Sequence, residues 1–179
     1  TGGAQRIGRA IALTLAQRGA RIVFTYRTSH VQARRTANAI RDLGVPVLAI
    51  RADLTRAREV QQLIRTVATR FGRLDVLINN AAIFERTPFT TLTEQQWSRA
   101  LATNLTGPFL CALYASRLMR TQQGGTIINI ADWAGERPYR DYLPYCVSKA
   151  GVIALTKALA KELSPTIRVN AIAPGPIVQ

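Results

Sequence analysis

The sequence contains little of the chemistry that metal sites and disulfide frameworks need. Its 179 residues include only two cysteines, one histidine and one methionine. Two cysteines cannot make a disulfide framework, and a single histidine leaves a zinc site short of ligands. No apolar run approaches the ~18 residues that a membrane-spanning helix needs, and no signal peptide is recognisable. These absences predict a reduced, cytoplasmic protein that binds neither a metal nor a membrane.

Lysine is also scarce, whereas arginine is abundant. The chain has 3 Lys and 21 Arg against 10 Asp and Glu, which gives a formal net charge of +14. Nucleic-acid interfaces cluster their basic residues, but these arginines are scattered singly from Arg6 to Arg168. We interpret the charge as a solvated basic surface and predict no nucleic-acid partner. Attraction of an anionic ligand and nucleic-acid binding are the alternatives.

Apolar runs alternate with segments of helical period along the whole chain. The pattern predicts strands over 21–26, 45–50, 74–79, 125–131 and 167–172, and helices over 5–18, 30–43, 55–71, 93–119 and 143–163. We expect Thr55 to cap the third helix, and we expect an interruption of the fourth near Gly107–Pro108. Because the strands are continuously apolar, the pattern favours a parallel sheet covered by helices on both faces. We predict a single α/β domain over residues 1–179 with a doubly wound sheet.

The two ends of the sequence fall at unusual places for such a domain. Thr1 lies already inside a glycine-rich turn, and Gln179 follows shortly after a strand. A doubly wound sheet has its first strand at the centre. We therefore expect a domain that lacks its first strand and its C-terminal end.

The first eight residues have the composition of a dinucleotide-binding turn. Gly2, Gly3 and Gly8 permit a tight turn, which would bring a diphosphate close to the N-terminus of the first helix. The next strand ends at Tyr26 and Arg27, without the acidic residue that binds the ribose of NAD. An arginine at this place suits the 2′-phosphate of NADP, although an exposed loop arginine is the plainer alternative. The two features favour NADP over NAD.

A tyrosine and a lysine stand four residues apart on the last predicted helix. Tyr145 and Lys149 would share one helical face, near the edge of the sheet where ligands bind in α/β folds. A free phenol has a pKa near 10, and a neighbouring ammonium lowers it. The pair therefore suits proton transfer to a substrate. A solvent-facing pair without function is the alternative.

Six motifs in order resemble those of the classical short-chain dehydrogenase/reductase family, over nearly the whole chain. They are Thr1–Gly8, Ala52–Leu54, Asn79–Ala82, Asn104–Gly107, Tyr145–Lys149 and Arg168–Gly175. The resemblance implies a Rossmann-type fold and an NADP-dependent oxidoreductase. It also implies a homodimer or homotetramer, paired through the two long helices over 103–119 and 143–163.

The resemblance implies a role for each matching residue. Tyr145 would donate the proton, Lys149 would bind the nicotinamide ribose, and Asn104 would support the proton-relay water. The residues expected to bind the coenzyme are Gly2, Arg6, Ile7, Gly8, Arg27, Ser29, Asp53, Leu54, Asn80, Ala81, Ala82, Tyr145, Lys149, Pro174, Gly175 and Ile177.

Two departures from the family pattern point to one subset of it. Asp132 replaces the usual serine thirteen residues before the tyrosine, and Arg6 replaces the third glycine of the turn. Together they resemble the pteridine reductases, in which Phe84 would stack the pterin ring. The residues expected to bind substrate are Arg6, Phe84, Asp132 and Tyr145. Ala82 departs from this subset, where a serine can stand.

We predict an NADPH-dependent reductase of a pterin C=N bond, with Tyr145 and Asp132 supplying the proton. The alternative is a carbonyl or 3-oxoacyl reductase that uses the same Tyr145–Lys149 pair. A third possibility is a non-catalytic module that binds NADP or nucleic acid. Each of the three substrate residues also has a plainer interpretation. Asp132 would only cap its loop, Phe84 would only pack as an aromatic ring, and Arg6 would only bind phosphate.

Overall fold

Parallel strands and helices alternate along the chain, in the order that the apolar pattern predicts. The structure is a computed structural model that describes residues 1–175. Its strands are β1 (Ile22–Tyr26), β2 (Val47–Arg51), β3 (Val76–Asn79), β4 (Gly125–Ile130) and β5 (Ile167–Ile172). Its helices are α1 (Arg6–Gln17), α2 (His30–Arg41), α3 (Ala57–Phe71), α4 (Glu94–Leu101), α5 (Gly107–Arg120) and α6 (Leu143–Leu163). No helix within these residues is both long enough and apolar enough to span a membrane.

The strands form two parallel groups within residues 1–175. β1 pairs with β2, and β4 pairs with both β3 and β5. A cleft of about 270 Å³ lies between β1 and β3, with Phe24 on one side and Leu77 on the other. Residues 1–3 link the two groups at the end of this cleft, because the Thr1 amino group donates to the Ile78 carbonyl of β3 at 2.6 Å and the Gly3 amide donates to the Thr25 carbonyl of β1 at 3.1 Å.

Two apolar cores hold the helices against the strands. Helices α1 and α2 bury alanines and Ile40 against Ile22 and Phe24 of β1. Helices α3, α5 and α6 enclose the second core around Ile127 and Ile167, both of which are almost fully buried. Small side chains at the contacts of α1 and α5 allow the backbones to approach the strands closely.

A chain of buried amides runs through the second core and ties two strands to α6. Asn79 on β3 donates to the side-chain oxygen of Asn129 on β4 at 2.9 Å. Asn129 in turn donates to the hydroxyl of Thr156 on α6 at 2.9 Å. Buried polar groups without partners are costly. These hydrogen bonds therefore favour the one alignment of β3, β4 and α6 in which the three residues meet.

The predicted cap at Thr55 is wrong. Helix α3 begins two residues later, after Arg56. The backbone amide and the hydroxyl of Thr55 both donate to Asp53 Oδ1, at 3.0 and 2.7 Å. The carboxylate of Asp53 therefore closes a turn over Thr55, and α3 begins only after this turn.

The predicted interruption of the long fourth helix exists, but it lies one turn earlier than Gly107–Pro108. Residues Ala102–Thr106 form a π-helical turn between α4 and α5. Pro108 stands in the first turn of α5, where the missing amide proton costs nothing. The wider turn carries Asn104 and buries it almost completely, at 1% exposure.

We predict that Gly124→Ala destabilises the fold more than Gly72→Ala. Both glycines have a left-handed backbone, with φ of +97° and +71°. A Cβ at Gly124 would lie 2.1 Å from the Thr166 carbonyl oxygen, whereas Gly72 faces open space. We expect Gly72→Ala to lower the free energy of unfolding by about 1 kcal/mol, and Gly124→Ala by roughly 2–4 kcal/mol. Urea unfolding measures both values, and equal losses would contradict the close contact at Gly124.

Candidate active site

The catalytic residues that the sequence predicts converge at the carboxyl edge of β3 and β4. Asp132 follows β4, Tyr145 and Lys149 lie on the first turns of α6, and Asn104 enters from the π-helical turn. Parallel strands present their carboxyl ends at the same edge, so these four residues meet although 45 positions separate the first from the last.

The Tyr145 hydroxyl donates a hydrogen bond to Asp132 Oδ2 at 2.6 Å. The other carboxylate oxygen, Oδ1, accepts the Ala134 amide at 2.7 Å and so fixes the short helical turn Trp133–Gly135. Asp132 thus caps its loop and accepts from the tyrosine at once. The interpretation of Asp132 as a loop cap fits this geometry, and its catalytic role stays a prediction.

The pKa of Tyr145 lies above its ordinary value, and a lowering of it by Lys149 stays a prediction. Burial raises the pKa of Tyr145, and the hydrogen bond to Asp132 and its negative charge raise it further. The Lys149 ammonium lies 5.7 Å from the centre of the tyrosine ring rather than at the hydroxyl. A phenolate beside a carboxylate is unfavourable, so Tyr145 keeps its proton.

Lys149 is a buried cation whose pKa lies below its ordinary value. Its ammonium donates to the Ile130 carbonyl at 2.7 Å, at the end of β4, and the residue is 4% exposed. Burial lowers its pKa to about 8, while the charge of Asp132 acts in the opposite direction. Lys149 is therefore mostly protonated at neutral pH, and the charge of Asp132 favours that form.

Asn104 joins the end of β3 to α6. Its Oδ1 accepts the Ile83 amide at 2.8 Å, and its Nδ2 donates to the Ile83 carbonyl at 2.9 Å. The same Nδ2 lies 3.1 Å from the hydroxyl of Ser148, which donates to the Tyr145 carbonyl at 2.6 Å. The expected support of a relay water by Asn104 stays a prediction, since protein groups occupy its amide here.

Ser148 is a residue of this site that sequence reasoning missed. It is fully buried between the tyrosine and the lysine, and it links Asn104 to the first turn of α6. Its place within the Tyr145–Lys149 motif, next to Lys149, was the available signal. A serine inside an otherwise apolar helix face needs a polar partner when it is buried.

The glycine-rich turn has the shape of an anion cradle. Gly2 has a left-handed backbone, and a Cβ at Gly8 would lie 2.1 Å from the Gly2 carbonyl oxygen. Within the described residues no side chain caps the N-terminus of α1. Its free amide groups and helix dipole therefore face the space in front of the turn, which fits the diphosphate of a dinucleotide.

Asn80 and Ala81 hold this turn in place. The Asn80 side chain donates to the Thr1 carbonyl at 3.0 Å, and the Thr1 hydroxyl accepts the amides of both Asn80 and Ala81 at 3.0 Å. Arg6 stands at the third glycine position with a φ of +51°, a conformation that favours glycine. Ile7 follows it, partly exposed on the first turn of α1.

The residues expected at the adenosine end meet where β1 and β2 end side by side. Arg27 and Ser29 follow β1, and Asp53 and Leu54 follow β2. Burial opposes ionisation of Asp53, but hydrogen bonds from Thr55 and the nearby charge of Arg27 lower its pKa overall. Arg27 is exposed, so its guanidinium is free to meet a phosphate.

Phe84 lies at the site, but one face of its ring is already covered. Its ring stacks on Tyr142 with centroids 4.3 Å apart and an angle of 8° between the planes. It meets Tyr145 edge-on at 4.6 Å, and the residue is 56% exposed. Only the second face of the ring is therefore available to a flat substrate. Ala82, two residues earlier, is exposed.

The C-terminal segment of the described residues borders the site. The Pro174 carbonyl accepts the Trp133 amide at 3.1 Å, so this segment lies beside the loop of Asp132. Gly175 is exposed, and Ile177, also expected to bind the coenzyme, lies outside the described residues. Within residues 1–175, no group of three His, Cys, Asp or Glu side chains is arranged to hold a metal ion.

Known proteins resemble this chain over almost all of its length. The sequence pattern of the short chain dehydrogenase family matches residues 1–178. A 3-oxoacyl-[acyl-carrier-protein] reductase from Synechocystis sp. is 42% identical over 98% of this chain and 71% of its own length. Among solved structures, acetoin dehydrogenase from Enterobacter cloacae has a TM-score of 0.93 at 35% identity, over 99% of this chain and 71% of that one.

NAD⁺-bound xylitol dehydrogenase is similar to the same degree. Its TM-score is 0.93 at 34% identity, over 97% of this chain and 67% of that one. The Rossmann-type α/β fold that the sequence predicts is thereby confirmed. Since sequence and structure agree over nearly every residue, the chain belongs to the short chain dehydrogenase family and is an oxidoreductase.

Proposed function

We propose that this protein reduces a C=N bond in a flat nitrogen heterocycle of the pterin type, with NADPH as the hydride donor. The hydrogen bond from Tyr145 to Asp132 carries this proposal. A carboxylate only accepts hydrogen bonds, so it cannot assist a carbonyl oxygen as the family's serine would. It also repels the negative charge that develops on such an oxygen. A pterin, in contrast, presents N–H groups that a carboxylate accepts.

The proton transfer follows from the same geometry. When bound, the coenzyme supplies the hydride to the carbon of the C=N bond. Tyr145 gives its proton to the ring nitrogen, and the half-buried Asp132 passes a proton from solvent to the phenol oxygen. Because the pKa of Tyr145 is raised, this replacement avoids a phenolate beside a carboxylate. Phe84 offers its open face to the substrate ring.

Reduction of a 3-oxoacyl thioester is the second candidate. It is favoured by the similarity to the Synechocystis reductase, whose name gives that reaction, at 42% identity. In this reaction Tyr145 would protonate the carbonyl oxygen, and the charge of Asp132 would oppose the negative charge that develops there. The names of the similar proteins favour this candidate over the pterin, whereas the charge at Asp132 favours the pterin.

Two arginines support NADP as the coenzyme rather than NAD. Arg27 lies beyond the end of β1 without an acidic residue at the same place, and Arg6 begins α1. Guanidinium groups bind phosphate strongly, often through two parallel hydrogen bonds. The NAD⁺-bound relative makes the opposite choice possible within this fold.

Pairing of two copies through α5 and α6, and a cytoplasmic location, stay predictions. Partly exposed apolar side chains on these helices are compatible with pairing, namely Phe109, Leu143 and Val147.

Substituting Asp132→Ser separates the two candidate reactions. We expect NADPH oxidation with dihydrobiopterin or dihydrofolate to fall by about 100-fold, because general acid–base catalysis contributes roughly 10²–10⁴-fold. Turnover of acetoacetyl coenzyme A would stay equal or rise. Asp75→Ser, at the opposite edge of the sheet, is the matched control and leaves both rates unchanged. If the unaltered protein reduces acetoacetyl coenzyme A but neither pterin, the thioester reaction replaces the pterin proposal.

The coenzyme preference is tested by Arg27→Ala. A lost hydrogen bond to a charged group costs about 1.5–3 kcal/mol, so the KM for NADPH should rise roughly 10- to 100-fold while the KM for NADH changes little. Arg70→Ala, an exposed arginine near the end of α3, serves as control. Steady-state kinetics with both coenzymes measures the change. An equal rise in both KM values would exclude a phosphate-specific role for Arg27.

The pH dependence of kcat/KM for NADPH reports on Lys149. Its pKa of about 8 predicts a decline in kcat/KM as the pH rises through 8, because the buried ammonium loses its proton. The charge of Asp132 raises that pKa, so Asp132→Ser should move the decline to lower pH. Initial rates between pH 6 and 10 measure both profiles, with Asp75→Ser as control. A decline at the same or higher pH in Asp132→Ser would contradict this coupling.

A further inference from the structure

Asp141 has a backbone conformation that is rare for any residue with a side chain. Its φ is +66°, in the left-handed region, and it directly precedes Tyr142 at the start of α6. Aspartate and asparagine tolerate this region better than alanine, and glycine adopts it freely. Residues in such conformations cluster at functional sites, where surrounding contacts maintain them.

Two contacts join Asp141 to the segment that follows β3. Its side-chain Oδ2 accepts from Arg86 at 2.6 Å. Its backbone carbonyl accepts the amide of Thr87, also at 2.6 Å. Thr87 is buried at 4% exposure, and the Asp141 side chain is only 22% exposed. The Arg86 side chain is mostly exposed, so the shielded part of this contact is the Asp141 carboxylate and the backbone bond to Thr87.

These contacts determine how two aromatic rings meet. Phe84 stands two residues before Arg86, and Tyr142 follows Asp141 directly. Their rings stack at 4.3 Å, and this stack places the edge of Phe84 against Tyr145 at 4.6 Å. The left-handed turn at Asp141 directs the chain into α6 at the position from which Tyr142 covers one face of Phe84.

We propose that Asp141 is a positioning residue for the substrate ring. By holding the segment after β3 against the start of α6, it orients the open face of Phe84 beside the Tyr145 hydroxyl. Asp141 acts through Arg86, Thr87 and the stacked rings, and it does not touch the reacting atoms. This inference rests on the proposed function in so far as reduction takes place at Tyr145.

Three substitutions separate the two contributions of Asp141. Asp141→Asn removes the charge, Asp141→Gly removes the side chain but keeps the left-handed backbone, and Asp141→Ala disturbs both. We expect kcat/KM for dihydrobiopterin, or for acetoacetyl coenzyme A if that is the substrate reduced, to fall about threefold in Asp141→Asn and at least tenfold in Asp141→Ala. Asp141→Gly should lie between them, and the KM for NADPH should stay within twofold in all three.

Arg86→Met should reproduce the loss seen in Asp141→Asn, and combining the two should add little. The matched control is Arg73→Met, which breaks an ion pair of the same 2.6 Å length at the opposite edge of the sheet. We expect it to leave kcat/KM unchanged. A purely structural role would instead lower the unfolding temperature and raise the KM for NADPH in parallel with the loss of substrate turnover, and that result would overturn the proposal.

A crystal structure of Asp141→Ala decides the inference independently of activity. We expect the centroids of Phe84 and Tyr142 to separate beyond stacking distance, while Tyr145 and Asp132 remain hydrogen-bonded. Rings still stacked at about 4.3 Å would overturn the proposal, whether or not either substrate is reduced. Absence of turnover with every substrate in the unaltered protein would count against the proposed function alone.

Discussion

The hydrogen bond from the Tyr145 hydroxyl to the Asp132 carboxylate governs the chemistry of this site. It raises the pKa of the phenol, and the same negative charge helps the buried Lys149 to keep its proton. Asp132 can do both because its other oxygen is fixed by the Ala134 amide. Burial is the larger cause of both pKa shifts, and Asp132 adds to the shift of Tyr145 and opposes that of Lys149.

The scaffold around this bond includes asparagine side chains that form hydrogen bonds in the interior. Asn79 and Asn129 join β3 to β4, and Asn104 joins the end of β3 to α6 through Ile83 and Ser148. Each of these amides would be costly to bury alone, so the strands and the helix have one favourable arrangement relative to each other. Catalytic groups on separate elements therefore reach hydrogen-bond distance without help from a flexible loop.

Sequence reasoning predicted the elements best where local chemistry and tertiary packing agree. The bounds of α6 are as predicted, because Pro144 fits the first helical turn and Ser164–Pro165 cannot continue it. Thr55 failed as a cap because Asp53, two residues away, is the stronger acceptor. Helix periodicity also could not show that the wide turn lies at Ala102–Thr106, before Pro108.

The composition of the site was readable from motifs, but its energetics were not. Spacing alone places Lys149 near Tyr145, yet burial and Asp132 reverse the expected direction of the Tyr145 pKa shift. Burial depends on residues distant in sequence and leaves no local pattern. The stack of Phe84 on Tyr142 likewise depends on Asp141, whose left-handed backbone has no sequence signature stronger than the aspartate itself.

Arg6 has a left-handed backbone, so its side chain is retained at a cost in fold stability. Glycine would occupy that position with a gain of about 1 kcal/mol in stability, since it carries no Cβ to strain. The chain instead retains a long cationic side chain at the mouth of the anion cradle. If Arg6 binds phosphate as proposed, fold stability is exchanged there for charge, as is common at functional sites.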